Sequence, residues 1–200
     1  MVQKSTDRDF SLKGEFLVPM PLMGDERFFE SVIYVVDHGE EGAMALIVNQ
    51  TLQDLRFEDV LRDLEVGAPD KKIKISSKIA RRHVLRGGPV DRARGFVLHS
   101  PDYESNNSSL EVTKDIHLSA NVEILRAIAY EDKPEKAIFA LGYCGWSPGQ
   151  LEQELAQNAW LTVPYDAELL FDVPLEARYE KALQILGVSR ASLSAYSGNA

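Results

Sequence analysis

Residues 142–155 read GYCGWSPGQLEQEL. Three glycines, a tryptophan, a proline and the single cysteine of the chain crowd the first eight positions, and a helical pattern starts behind them. The preceding run KAIFALGY (136–143) is apolar and reads as a buried strand. The stretch therefore predicts a strand that becomes a helix within about four residues, with Gly142 and Gly145 giving the backbone its freedom at the turn. Ser147-Pro148-Gly149-Gln150 has the S-x-x-Q form of a capping box, with proline at the first helical position, so the helix is expected to start at Ser147. Leu151, Leu155 and Ala159 would form its apolar face. Free N–H groups at a helix start attract anions. Trp146 must cover the core, a ligand or a partner.

Outward from this corner, GEFLVP (14–19), SVIYVVDHG (31–39), GAMALIVNQ (42–50), HVLRGGPV (83–90) and GFVLHS (95–100) read as strands. Gly39 to Gly42 is hairpin chemistry. LEVTKDIHL (110–118) alternates and suits a strand or a strand pair. AWLTVP (159–164) and AELLFDV (167–173) read as two further strands. Phe57, Val60, Leu61 and Leu64 form the stripe of a short amphipathic helix. Ser119 is the expected N-cap of a helix carrying Val122, Ile124, Leu125 and Ile128. Pro174 opens a final helix, PLEARYEKALQIL, which Gly187 stops. Strands outnumber helices without alternating strictly with them, which favours α+β with a large mixed sheet over a doubly wound fold. One domain over 14–200 behind a disordered lead at 1–13 suits the length of 200 residues.

The formal charge of −9 disfavours direct nucleic-acid binding. The charge is uneven: Lys71, Lys72, Lys74, Lys78, Arg81, Arg82, Arg86, Arg92 and Arg94 crowd residues 71–94 against Asp91 alone. This segment reads as a solvated basic loop, or as an anion-binding flap or docking surface. No apolar run approaches membrane-spanning length, the N-terminus lacks an apolar signal core, and one cysteine makes no internal disulfide, so the expected compartment is the cytoplasm.

Several chemistries fail against the opening stretch. No lysine follows Gly149 as a Walker loop requires, the glycine spacing does not match G-x-G-x-x-G, and Gly142-Tyr143-Cys144-Gly145-Trp146 lacks the last glycine of a nucleophile elbow. Cys144 suits a buried, inert thiol at a strand end. His38, His83, His99 and His117 stand singly, with no metal-binding spacing. Asn49 suits a turn cap. Glu152 and Glu154, two apart on a helix, point to different faces and make no acid–base pair. No catalytic residue, metal or cofactor is assigned.

Taken together, LVPMPLMGDERFFESVIYVVDH, GAMALIVNQTL, GGPV, GFVLHS, LSANVEILRAIA, LGYCGWSPGQLEQEL, NAWL and LLFD resemble the AlgH/YqgE family of bacterial proteins, named for a regulator of alginate synthesis. The resemblance covers the chain from Gly14 onward. It implies a bifurcated mixed β-sheet forming a flattened pseudo-barrel flanked by helices, with no established activity and no known DNA reader. Cys144 and Ser147-Pro148 stand where small residues are usual, which argues against a thiol mechanism shared by the family. The reading is a non-enzymatic regulatory or binding protein for a small anion, a nucleotide or a protein partner. The expected ligand-binding residues are Arg86, Gly87, Gly88, His99, Tyr143, Gly145, Trp146, Ser147 and Gln150. The alternatives are an enzyme acting on an acyl or phosphoryl group through Cys144 or His99, and a transcriptional regulator binding DNA.

Overall fold

The structure, a computed structural model, describes residues 10–64, 77–103 and 109–197. Lys71, Lys72 and Lys74 of the basic segment, and residues 1–9 of the expected disordered lead, lie outside the described residues. Residues 10–13 do not behave as a loose lead. Leu12 is buried, its N–H donates to His38 Nδ1 at 3.0 Å, and the Ser11 hydroxyl donates to the His38 carbonyl at 3.1 Å.

The chain runs β1 (Phe16–Pro19), β2 (Ile33–Gly39), β3 (Gly42–Ile47), β4 (Thr51–Arg56), α1 (Phe57–Asp63), α2 (Ser77–Ala80), β5 (His83–Arg86), β6 (Val90–His99), β7 (Ser109–Thr113) and β8 (Ile116–Ser119). It continues through α3 (Val122–Tyr130), β9 (Ala137–Trp146), α4 (Gln150–Ala156), β10 (Trp160–Val163), α5 (Ala167–Phe171), α6 (Arg178–Ile185) and α7 (Arg190–Ser197). The strands form one sheet in the order β10-β1-β2-β3-β9-β6-β8-β7, with β4 and β5 branching off β9. The β5–β9 pairing is parallel and the others are antiparallel. This is the expected α+β fold with a bifurcated mixed sheet flanked by helices. Among the described residues its path does not close, so the pseudo-barrel is an open one.

The branch point is in β9. One edge of this strand pairs with β6. The other edge carries two partners in succession: β5 at Ala140 and Leu141, then β3 at Cys144 to Trp146. The change of partner falls at Gly142, whose φ is +74°. The side-chain phase changes there too. Ile138 and Ala140 face the core beneath α5, α6 and α7, and Phe139 faces the core beneath α1 and α3. Beyond Gly142 it is Tyr143 that packs against the first core, while Cys144 and Trp146 enter a third, with Leu151 of α4. A strand alternates with period 2, so an inserted residue moves every later side chain to the other face. The slip turns one continuous sheet face into two separate cores on the opposite side.

Gly87 and Gly88 brace this point. The Gly87 N–H donates to the Leu141 carbonyl at 2.8 Å, and its carbonyl accepts from the Ile47 N–H at 2.8 Å, tying both branches to β9. A Cβ at Gly87 would stand 2.3 Å from the Gly142 carbonyl oxygen, and one at Gly88 would stand 2.1 Å from the Tyr143 carbonyl. No side chain fits that gap.

Five sequence expectations need correction. The final helix expected to open at Pro174 instead starts at Arg178, behind a 3₁₀ turn at Leu175–Ala177, and α7 follows it. Residues 167–171 of AELLFDV form helix α5, not a strand, because Asp166 accepts from the Leu169 N–H at 2.7 Å and caps it. The N-cap of α3 is Asn121, whose Oδ1 accepts from Ile124 N–H at 3.0 Å, whereas Ser119 ends β8. The strand predicted over 136–143 runs on to Trp146, so Gly142 and Gly145 lie inside it. Helix α4 begins at Gln150 with Gly149 (φ +75°) as its N-cap, and the Ser147 hydroxyl makes no cap bond. Gly187 does stop α6, at φ +70°: its N–H donates to Gln184 and that of Val188 to Leu183, a Schellman closure.

Gly88→Ala is expected to lower the unfolding free energy by ~3 kcal/mol or more, since backbone rather than a flexible side chain must give way. Gly39→Ala, with nothing within 4 Å of the added methyl, should stay within ~0.5 kcal/mol of the parent. Urea unfolding of the two variants measures the contrast.

Candidate functional site

The last residues of β9, the start of α4, β10 and the 3₁₀ turns at Pro21–Met23 and Glu26–Phe28 wall a groove of about 1310 Å³. Trp146 and Trp160 stand edge to face inside it, 5.9 Å between ring centroids, and Phe28 meets Trp160 at 5.4 Å. Both indoles are almost wholly buried.

Glu154 organises this wall. Its Oε2 accepts from the indole N–H of Trp146 at 2.8 Å and of Trp160 at 2.7 Å, and its Oε1 accepts from Gln150 Nε2 at 2.9 Å. Gln150 Oε1 in turn accepts from the Ser147 N–H at 3.0 Å. Only that half of the expected capping box is built. Hydrogen bonds to a charged acceptor contribute ~1.5–3 kcal/mol each, so this carboxylate fixes β9, α4 and β10 relative to one another. On the rim, Arg27 holds both Asp25 oxygens, with contacts of 2.6–3.1 Å, and its hydrogen bond lowers the Asp25 carboxyl below the usual range.

The expected ligand-binding residues divide. Gly145, Trp146 and Gln150 line the groove. Gly87 and Gly88 are buried behind β9, below the groove floor, and Pro89 and Val90 after them reach the lining. Arg86 stands apart from the lining and bonds the Gln50 side chain and, at 3.5 Å, the Arg27 carbonyl. Tyr143 points to the opposite sheet face, its ring 5.8 Å from Phe96. Ser147 lies just outside the lining.

His99 lies outside the groove lining. It is fully buried, and Nδ1 lies 2.9 Å from the Ser100 carbonyl, which only accepts, so Nδ1 carries the proton. Nε2 therefore accepts from the Ser119 hydroxyl at 2.9 Å, and Ser119 accepts from Ser109 at 2.7 Å. Burial chiefly lowers the imidazole pKa. This relay joins β6, β8 and β7 inside the protein. His38 is likewise satisfied: Nδ1 accepts from Leu12, so Nε2 donates to Glu152 at 3.1 Å. Asn49 clamps a turn, accepting from Val32 N–H and donating to the Glu30 carbonyl, each at 2.8 Å. Cys144 is buried against the Gly87 carbonyl at 3.5 Å, and burial pushes its thiol up to about 12 against the pull of Arg27 and Arg86. Among the described residues no cluster of three His, Cys, Asp or Glu could hold a metal.

The residue that sequence reasoning missed is Glu154. Its parity with Glu152 was informative only for a carboxylate pair. The available signal was its place four residues after Gln150 and between the two tryptophans of the chain.

Residues 16–191 match a family model described as AlgH-like. The chain belongs to the AlgH-like family. A UPF0301 protein of Mesorhizobium japonicum is 50% identical over 190 residues, covering 94% of this chain and 93% of its own. One from Methylobacterium sp. (strain 4-46) is 48% identical over 189 residues, covering 94% and 90%. The solution structure of the AlgH protein from Pseudomonas aeruginosa superposes with a TM-score of 0.75 at 40% identity, over 97% of each chain. A protein from Corynebacterium diphtheriae shares the fold at a TM-score of 0.66 and 19% identity, over 89% and 88%. Among the described residues no helix is long and apolar enough to cross a membrane.

Glu154→Ala should cost ~1–3 kcal/mol, because the indole N–H groups of two nearly buried rings lose their shared acceptor. Ser147→Ala should cost less than ~0.5 kcal/mol, since its hydroxyl caps nothing. Thermal or urea unfolding of both variants reads the difference.

The folded state holds the Cys144 proton more tightly than the unfolded chain does. Its contribution is therefore complete below about pH 9, the ordinary thiol value, and is lost as pH rises toward about 12. At pH 8 the thiol should resist alkylation until the protein unfolds, and Cys144→Ala should flatten the alkaline fall in stability. Alkylation kinetics and unfolding curves between pH 8 and 11 test both.

Proposed function

We propose that this chain is a cytoplasmic binding protein without a reaction of its own, and that its groove takes a short extended segment of a partner protein. The observation that carries this reading is the outer edge of β10 along the groove, with which no strand among the described residues pairs. The Met20 N–H donates to the Ala159 carbonyl, and Val18 and Phe16 lie opposite Leu161 and Val163. By the alternation of an antiparallel ladder, Leu161 and Val163 turn their backbone groups to β1, and Trp160 and Thr162 turn theirs outward. Both residues line the groove. An extended peptide pairs with such an edge through its main chain and places alternate side chains in adjoining pockets.

Size favours the same occupant. Small-molecule sites usually span roughly 300–1,000 Å³, and this groove is larger. Arg27, the rim cation, is already neutralised by Asp25, so an apolar segment competes better there than a small anion. The enzyme reading is weakened by two findings: the Cys144 thiol is buried with its pKa raised, and His99 is enclosed by serine and carbonyl partners.

Thr162→Pro tests the proposal. Its N–H faces outward, so proline removes no ladder bond and should cost little stability. Peptides selected on the full chain from a library of extended sequences should protect the Trp160 and Thr162 amides from hydrogen exchange, and should bind Thr162→Pro at least tenfold more weakly. Selected peptides that leave those amides unprotected and bind both proteins alike would refute edge pairing.

A further inference from the structure

Apart from the groove, a second cavity of about 560 Å³ lies between β5, β9, α3 and the start of α6. Its size falls within the small-molecule range. Phe57, Ile128, Phe139, Phe171 and Leu175 contribute apolar wall, and Arg178 lines it as well.

Arg178 is only 4% exposed. Its Nε donates to the Val173 carbonyl at 3.0 Å and its Nη1 to the Val48 carbonyl at 2.5 Å. Nη2 makes no hydrogen bond to a described residue and is not sealed from solvent, and Arg178 lines the cavity. No carboxylate among the described residues lies within 4.0 Å of the guanidinium: Asp172, the nearby acid, is held by Lys136 at 2.7 Å. Burial brings the guanidinium down to about 10, which leaves it charged at neutral pH. Two neutral carbonyls satisfy part of the fork and none of the charge. A buried cation without a counter-ion is costly, and an anion that enters the site recovers that cost.

From this buried fork and its aromatic walls, we infer that the cavity binds a small monocarboxylate with an apolar body, its carboxylate on Arg178 and its chain against Phe57, Phe139 and Phe171. A planar carboxylate matches the free N–H geometry of the fork. Arg82 and Lys136 offset Glu135 and Asp172 at the lining, so it is the aromatic wall that favours a carboxylate with an apolar body over inorganic phosphate. The site is separate from the groove beside Trp146, and its occupancy does not depend on what binds there.

The test is a titration of the full ¹⁵N-labelled chain with octanoate, and separately with octanol, acetate and inorganic phosphate. Octanoate should shift amides around Arg178, Ile138 and Phe171 saturably. Octanol lacks the charge and acetate the body, so each should bind at least tenfold more weakly, as should phosphate. Arg178→Met should lose octanoate binding at least tenfold. Phe171→Trp leaves the guanidinium in place and narrows the cavity, so it should lose binding to a similar degree while keeping a folded spectrum. If Arg178→Met does not fold, Phe171→Trp decides alone. Equal binding of octanol and octanoate, octanoate shifts that map to the Trp146 groove, absence of saturable shifts, or unchanged affinity in Phe171→Trp would each overturn the inference.

Discussion

The phase slip at Gly142 is the constraint on which the rest of the fold depends. A strand pairs along two edges, and β9 must serve three neighbours. It does so by changing conformation at one residue, where φ is +74°. Before that residue its second edge belongs to β5, and after it to β3. The close approach of Gly87 and Gly88 to the carbonyls of residues 142 and 143 holds the junction shut. The Gly87-Gly88 pair and the Gly-Tyr-Cys-Gly-Trp run, over fifty residues apart in the chain, are thus two halves of one contact. Gly42 adds a third approach, since a Cβ there would stand 2.2 Å from the Trp146 carbonyl oxygen.

The groove follows from this geometry. The slip directs Cys144 and Trp146 to the face covered by α4 and β10, where a small thiol can be buried under the floor and a large indole can form the wall. The single Glu154 carboxylate then sets the spacing of both tryptophans. The hydrogen bonds and apolar burial that stabilise the corner are the same ones that shape the surface beside it, so architecture and binding are not alternatives for residues 142–155. Trp146 is too enclosed to act as a mobile lid and close enough to the surface to shape what docks.

Much of the fold was legible because its strands are long enough to show alternation or β-branched enrichment, as in β2 and β3. The errors cluster where two local signals compete over few residues. In AELLFDV the apolar run fits a strand or one helical face equally, and the deciding feature is the Asp166 cap outside the run. Ser119 and Asn121 are both good caps, and the demand of β8 and the buried His99 relay claims the serine. Ser147 and Gln150 carry a capping-box spacing, but Gly149 takes the left-handed turn and displaces the cap by two residues. β4 and α7 lack a strong pattern of their own and gain structure from pairing with β5 and from packing onto the turn at Pro21–Met23. At the site, Gly145, Trp146 and Gln150 were readable as a corner. Arg27 was not, because its role comes from contacts between elements, and Glu154 showed only its i,i+4 spacing from Gln150, which does not reveal that both indoles would converge on it. Arg178 was hidden for the same reason: at the start of an amphipathic helix, an arginine ordinarily faces water.

The shared carboxylate between the two indoles has an optical consequence. Trp146 and Trp160 are the only tryptophans in the chain, and both sit in the branch built from β9, α4 and β10. Selectively excited tryptophan fluorescence therefore watches that branch and is blind to the one beneath α1 and α3. Circular dichroism averages over both. A melting curve recorded by the two methods separates the branches without any label: coincident midpoints mean that the junction at Gly142 transmits unfolding from one core to the other, and divergent midpoints mean that the fork in the sheet is also a boundary in cooperativity.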